Sequence, residues 1–167
     1  MDAMEAILTR RSIRKYQLKP IPIEIVHELL AAGMSAPSAV NIRPWQFVVI
    51  ADRDIMDEIP KFHPYASMVK GASLVIVVCG DVALSNQYWV QDCAAAAENI
   101  LIATRAQGLG AVWLGVYPVE VRVMSLKKLL KLPENIMPLC LIPMGYPAEE
   151  RPRSPGMDKT KIHYNKW

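Results

Sequence analysis

Apolar and polar positions fall into blocks of differing period along the chain. Residues 3–9 (AMEAILT) have the composition of a short helix. From Ile23 to Met34, apolar side chains recur at Ile25, Val26, Leu29, Leu30 and Met34, the spacing of one helical face. Pro22 suits the start of that helix, and Gly33 stands near its other end. The next segment, SAPSAVNIRPW, holds two prolines among small residues and reads as a loop. WQFVVIA over 45–51 is β-branched and aromatic and predicts a strand. Asp52–Ile59 predicts a helix capped by Asp52 or Asp54 and ended by Pro60.

The apolar run SLVIVVC over 73–79 predicts a strand in the middle of a sheet, covered on both faces. Trp89–Gln107 predicts the longest helix, apolar on most sides and so expected to be buried all round. Its alanines, 94–97, leave room for a second helix, and Gly108 and Gly110 end it. Ala111–Val116 predicts a third strand, Val121–Leu130 a helix, and Leu139–Met144 a fourth strand. The tail from Ala148 has no helical period, and its terminal Tyr164 and Trp167 are expected to pack against something. Alternation of strands and helices by itself predicts a doubly wound parallel sheet.

The chain has 167 residues, 52% hydrophobic and 21% charged, which suits one domain and excludes disorder as the main state. No apolar stretch is long enough to span a bilayer, and Asp2 and Glu5 precede any basic residue, the wrong order for a signal peptide. Cys79, Cys93 and Cys140 are odd in number, widely spaced and set in apolar runs. They read as buried thiols in a reducing cytoplasm, not as a zinc site.

Net charge is +3, but its distribution is uneven. Arg10, Arg11, Arg14, Lys15 and Lys19 occur without an intervening acid, and Arg151, Arg153, Lys159, Lys161 and Lys166 crowd the C-terminus. Two such segments can meet around one small anion. Basic stripes interleaved with aromatics are absent, so no nucleic-acid partner is expected. GxGxxG, GxxxxGK[ST] and GxSxG are absent as well. His27, His63 and His163 are isolated, and Glu149–Glu150 read as a solvated charged turn. So few acid, base and nucleophile candidates suit a binding module, or an enzyme whose cofactor carries the chemistry.

Two segments offer a ligand grip. In Arg10-Arg11-Ser12-Ile13-Arg14-Lys15-Tyr16, guanidinium forks and a hydroxyl match phosphate oxygens. In Ala36-Pro37-Ser38-Ala39-Val40-Asn41-Ile42-Arg43-Pro44-Trp45, small residues let backbone groups approach a flat ligand, and the Asn41 amide both donates and accepts. These two, with GLGAVWLG over 108–115, MGYPAEE over 144–150 and a basic tail ending HYNKW, resemble the nitroreductase family of FMN-dependent oxidoreductases along essentially the whole chain.

That resemblance implies an α+β fold in place of the doubly wound one: a mostly antiparallel central sheet flanked by helices, in an intertwined homodimer. It implies a single domain over 1–167, with the tail from about 148 packed on the partner subunit. Arg10, Arg11, Ser12 and Arg14 match the segment that holds the FMN phosphate and ribityl chain. Pro37, Ser38, Ala39 and Asn41 match the loop that reaches FMN from the partner. Leu114 and Gly115 match the backbone beside the flavin ring, and Arg153, with Arg151 as the other candidate, matches the late basic residue on the phosphate. No catalytic side chain is implied beyond the flavin. NAD(P)H is the implied electron donor, and a small electron-poor compound such as a nitroaromatic or quinone the implied acceptor. Members also include flavin chemistry of other kinds, dehalogenation and flavin fragmentation among them, and a non-catalytic flavin-binding or sensory role is the alternative. Three departures stand out. Arg43 occupies a position where the family often has Gln, and Tyr65–Met68 supplies no lysine for the ring's N1–C2=O edge, leaving only Lys70 nearby. The chain also lacks the helical excursions that cover the substrate in larger members.

Overall fold

A computed structural model describes residues 1–167. Helix α1 (Ala3–Thr9) opens on the Asp2 carboxylate, which accepts the Glu5 N–H at 2.9 Å. Helix α2 (Ile23–Met34) and strand β1 (Trp45–Ile50) follow, joined by a loop with a short 3-10 turn at Ala39–Asn41. Helix α3 (Arg53–Phe62) is capped by Asp52, not Asp54. Pro60 lies inside α3 instead of ending it. The ring removes one late donor, while buried Met56 and Ile59 hold the turn against the core, and the His63 N–H still reaches the Ile59 carbonyl at 3.1 Å.

Strand β2 (Leu74–Asp81), helix α4 (Trp89–Ala106), strands β3 (Gly110–Ala111) and β4 (Leu114–Gly115), helix α5 (Glu120–Leu130) and strand β5 (Ile136–Gly145) complete the chain. The single strand expected over 111–116 is split, although β3 and β4 keep one register on β5. That register sets Val112 opposite Pro143, which has no N–H to return to the ladder. β5 itself is longer than its sequence suggests. It runs through Pro138, which sits where the β2–β5 ladder shifts register between Val78 and Cys79.

All strand pairs are antiparallel, in the order β1-β2-β5-β3 with β4 beside β5. The parallel sheet expected from alternation is therefore wrong, and the α+β arrangement is right. Element order says only that helices separate strands. Direction is decided by which distant strands meet, and β2 meets β5, with Leu74 against Met144.

β2 lies between β1 and β5 and is buried along almost its whole length, as its continuous apolar run predicts. Leu74, Ile76 and Val78 face a core built with α2 and α4, whereas Val75, Val77 and Cys79 face a second core with α3 and α5. α2 and α4 approach closely at Gly33, where a Cβ would stand 2.9 Å from Ile100. α4 is not buried all round within one chain: Gln91, Glu98 and Ala106 are exposed. The tail from Arg151 is exposed throughout, and Trp167 stacks only on His163, at 4.1 Å between ring centroids. Exposed apolar side chains at Met4, Ile7, Leu8 and Leu18 extend the surface that a single chain leaves uncovered. No helix is long and apolar enough to cross a membrane.

Candidate functional site

The basic segment after α1 is a strip of backbone laid beside the sheet. Ile13 donates its N–H to the Ala111 carbonyl at 2.9 Å, and Ser12 forms an isolated parallel bridge with Ala111. The buried Ile13 side chain seats against Gly110, where a Cβ would come within 2.8 Å of the Ile13 Cβ. Tyr16 pins the other end, its hydroxyl shared between the carbonyls of Ile13 (2.6 Å) and Pro143 (3.0 Å). Burial pushes the Tyr16 phenol well above its ordinary range, so it stays a neutral donor.

Glu149 completes the strip and corrects its reading as part of a solvated turn. One carboxylate oxygen accepts the N–H groups of Arg14 (2.6 Å) and Lys15 (3.2 Å), and the other pairs with Arg151 at 2.8 Å. The Arg14 N–H, then the Arg151 guanidinium, hold its carboxyl below the usual carboxylate range. A single acid thus joins the N-terminal basic strip to the C-terminal one.

The two basic segments do meet. Arg10, Arg11, Arg151 and Arg153 line one cleft beside Thr9, Ile13 and Ala111, and an adjoining cleft is lined by Arg10, Arg11, Ser12, Arg14 and Arg151. Arg10 is partly neutralised by Glu98 at 3.3 Å, and Arg151 by Glu149, while Arg11, Arg14 and Arg153 have no acidic partner. Glu149 and Glu150 line the first cleft too, but cations outnumber acids on this concave surface, a balance that attracts anions.

A third cleft opens from Arg14 toward β4. Leu114 and Gly115 line it, together with His63, Tyr65, Ser67, Met68, Trp113 and Arg122. Because Val116 donates to Leu139 on β5 at 3.0 Å, strand alternation turns the N–H and C=O of Gly115 away from β5, toward this cleft. The Gly115 carbonyl accepts from His63 Nε2 at 2.9 Å and from Arg122 Nη1 at 3.0 Å. A carbonyl accepts only, so Nε2 carries the proton. Burial of the ring lowers the pKa of His63, and its buried Nδ1 has no hydrogen-bond partner. A Cβ added at Gly115 would meet nothing within 4 Å, so no side chain covers the backbone there.

Pro37, Ser38, Ala39 and Asn41 line none of these three clefts. Their loop is shaped by left-handed backbone at Val40 (φ 51°), Asn41 (φ 58°) and Arg43 (φ 56°). It is tied to α4 by Asp92, whose carboxylate accepts the Ala39 N–H at 2.9 Å, and it is closed by the Ser38 hydroxyl accepting the Arg43 N–H. One Asp92 oxygen remains buried without a partner. Lys70 points to a different cleft, beside Lys19 and Arg53, and not to the β4 edge. His63 and Arg122 are the residues that sequence reasoning passed over. His63 is an isolated imidazole beside a proline, and Arg122 one cation in an ordinary charged helix. Only the packing of α3 and α5 on β4 brings them together.

The chain is similar to known proteins along nearly its whole length. The chain matches the Nitroreductase family profile over residues 7–64 and 60–146. It is 48% identical over 169 residues to a protein of Methanothermobacter thermautotrophicus provisionally named NADH dehydrogenase/NAD(P)H nitroreductase, with 100% of this chain and 88% of that one covered. A crystal structure under the same provisional name from Bacteroides thetaiotaomicron superposes with a TM-score of 0.96 at 48% identity, over 99% of this chain and 98% of that one. A nitroreductase-like protein from Desulfovibrio desulfuricans, solved in complex with FMN, gives 0.86 at 30% identity over 100% and 98% of the two chains. A profile that spans most of the chain, relatives matched from end to end and an antiparallel sheet edged by a basic strip lead to one conclusion: this chain belongs to the nitroreductase family.

Proposed function

We propose that the protein is an FMN-dependent oxidoreductase that passes electrons from NAD(P)H to an electron-poor small molecule such as a nitroaromatic or quinone. The observation that carries this reading is the meeting of an anion site and an open, flat backbone edge at Arg14. The residues fit the cofactor at both ends. Arg10, Arg11, Ser12, Arg14 and Arg153 would hold the phosphate and ribityl chain, and Leu114–Gly115 would lie beside the ring. The flavin, when bound, supplies the redox chemistry by taking hydride from NAD(P)H and giving electrons to the acceptor.

What the chain contributes is position and charge. Glu149 and Tyr16 hold the basic strip in place before any ligand arrives, so the arginines need little reordering. The outward N–H of Gly115 would donate to the ring edge, its peptide oriented by the bonds from His63 and Arg122 to the carbonyl. The three thiols take no part: burial pushes Cys79 and Cys93 up to about 12 and Cys140 well above its usual value. Free buried thiols also suit the cytoplasm.

The separation of Pro37–Asn41 from the basic clefts supports the second half of the reading, a homodimer with two shared sites. Each site would draw Arg10–Arg14 from one subunit and Pro37–Asn41 from the other. The exposed tail and the uncovered face of α1 would then be buried on the partner.

The test is spectroscopic. The purified protein should be yellow, or become so with FMN, bleach anaerobically with NADH or NADPH, and regain colour with a quinone. A yellow protein that no nicotinamide bleaches would leave a non-catalytic flavin carrier. A colourless protein that takes up no FMN would end the proposal.

A further inference from the structure

The third cleft, which the FMN reading gives to the flavin ring, is lined by two arginines. Arg14 also borders the phosphate grip, whereas Arg122 has no anion to serve there. Arg122 is half-buried, donates one bond to the Gly115 carbonyl at 3.0 Å and stands 5.6 Å over the Tyr65 ring. No carboxylate pairs with it, and none lines the cleft. A guanidinium is a permanent cation, and one drawn partly out of water ordinarily has an acidic partner.

The neighbours leave that charge uncompensated. Tyr65, Ser67 and Met68 bring no ionised group, and Lys70, from the same turn, lines a different cleft. Burial above all, and the Arg122 charge as well, lower the pKa of His63, so at pH 7 the imidazole adds little charge beside Arg122. A hydride carries two electrons and one proton, so a ring that takes it gains one negative charge. A fixed cation beside the ring favours that reduced form over the oxidised one. At the effective dielectric of a protein site, a unit charge within about 10 Å shifts such an equilibrium by about tenfold.

We infer that Arg122, presented by α5 and held on the Gly115 carbonyl, supplies the positive charge that stabilises reduced FMN and so raises the reduction potential of the bound flavin. This rests on the FMN reading above and adds a residue from a different element to the same site.

The experiment measures the potential of the flavin-loaded protein by anaerobic equilibration with reference dyes, and the affinity of the apoprotein for oxidised FMN by titration. Arg122→Gln keeps a donor for the Gly115 carbonyl and loses only the charge. Its reduced form should be disfavoured about tenfold, which for a two-electron couple is a potential about 30 mV lower. Its affinity for oxidised FMN should stay within about threefold of wild type. Arg122→Lys keeps the charge but not the planar fork, and should hold most of the wild-type potential. A role confined to orienting the Gly115 peptide predicts the reverse, with Arg122→Gln near wild type. An unchanged potential in Arg122→Gln would overturn the inference, as would an equal drop in both variants. Should Arg122→Gln fail to hold FMN, Arg122→Lys decides: a potential near wild type supports the inference, and a drop of about 30 mV overturns it. A wild-type protein that takes up no FMN refutes the oxidoreductase reading and this inference together, whereas a flavin-loaded one with the same potential in Arg122→Gln refutes this inference alone.

Discussion

Gly110→Ala is the sharpest perturbation of the strip that carries the site. The Gly110 backbone is not left-handed, so alanine meets no conformational barrier there. By restricting the unfolded chain it would stabilise by about 0.4–1 kcal/mol. Sterically it meets Ile13: the new Cβ would lie 2.7 Å from Cγ2, 2.8 Å from Cβ and 2.9 Å from Cγ1. A rotamer change can move the γ carbons but not the Cβ. Ordinary contact begins near 3.4 Å, so the strip must retreat by about 0.6 Å, against the 2.9 Å bond that ties Ile13 to Ala111. Overpacking of this kind costs about 1–3 kcal/mol; set against the entropic gain, midway values leave about 1.3 kcal/mol net destabilisation. Urea unfolding measures that figure, and FMN titration of the same variant should show weaker binding because Arg10–Arg14 move with Ile13. In Gly110→Ala/Ile13→Ala two of the three close contacts are gone. The double mutant should therefore be more stable than the sum of its singles by more than about 0.5 kcal/mol. Wild-type stability and FMN affinity in Gly110→Ala, or strict additivity in the double mutant, would refute the packing argument.

Arg10→Ala and Arg153→Ala should each lower FMN affinity at least about tenfold in a titration of apoprotein, since an Arg–phosphate bond contributes roughly 1.5–3 kcal/mol. Unchanged affinity in Arg153→Ala would transfer its role to Arg151. Refolding an Arg10 variant together with an Asn41 variant, each unable to hold FMN, tests the shared site. Random assortment makes about half the dimers mixed, one site of each free of both defects, so about a quarter of all sites should regain flavin. No recovery in dimers shown to have exchanged would mean that one chain builds the whole site. Cys79→Ala, Cys93→Ala and Cys140→Ala should each keep flavin bleaching by NADH, and the wild-type thiols should stay unlabelled by iodoacetamide at neutral pH until the protein unfolds. Because the folded pKa of Glu149 is depressed, its contribution to stability is complete above the ordinary carboxylate range and disappears as pH falls below it. Stability followed by thermal melting from pH 7 to pH 3 should therefore fall less steeply in Glu149→Gln than in the wild type.

Local signals in the chain were enough to place the elements. The period of Ile23–Met34, the Asp52 cap and the apolar run of β2 are properties of short segments, readable without knowing what packs on them. Charge clustering was enough to suggest that residues 10–19 and 151–166 share an anion, and the ordered motifs pointed to the family. Three things lay outside that reach. Antiparallel pairing of β2 with β5 is a contact between distant segments, so alternation alone suggested the wrong sheet. Pro60 and Pro143 act through their neighbours, one kept in a helix by the burial of Met56 and Ile59, the other splitting a strand that it merely faces. Glu149, His63 and Arg122 look like ordinary surface or turn residues until tertiary packing brings backbone groups to them. A side chain's role depends on the atoms within a few ångströms of it, and those neighbours are set by how the chain folds back on itself.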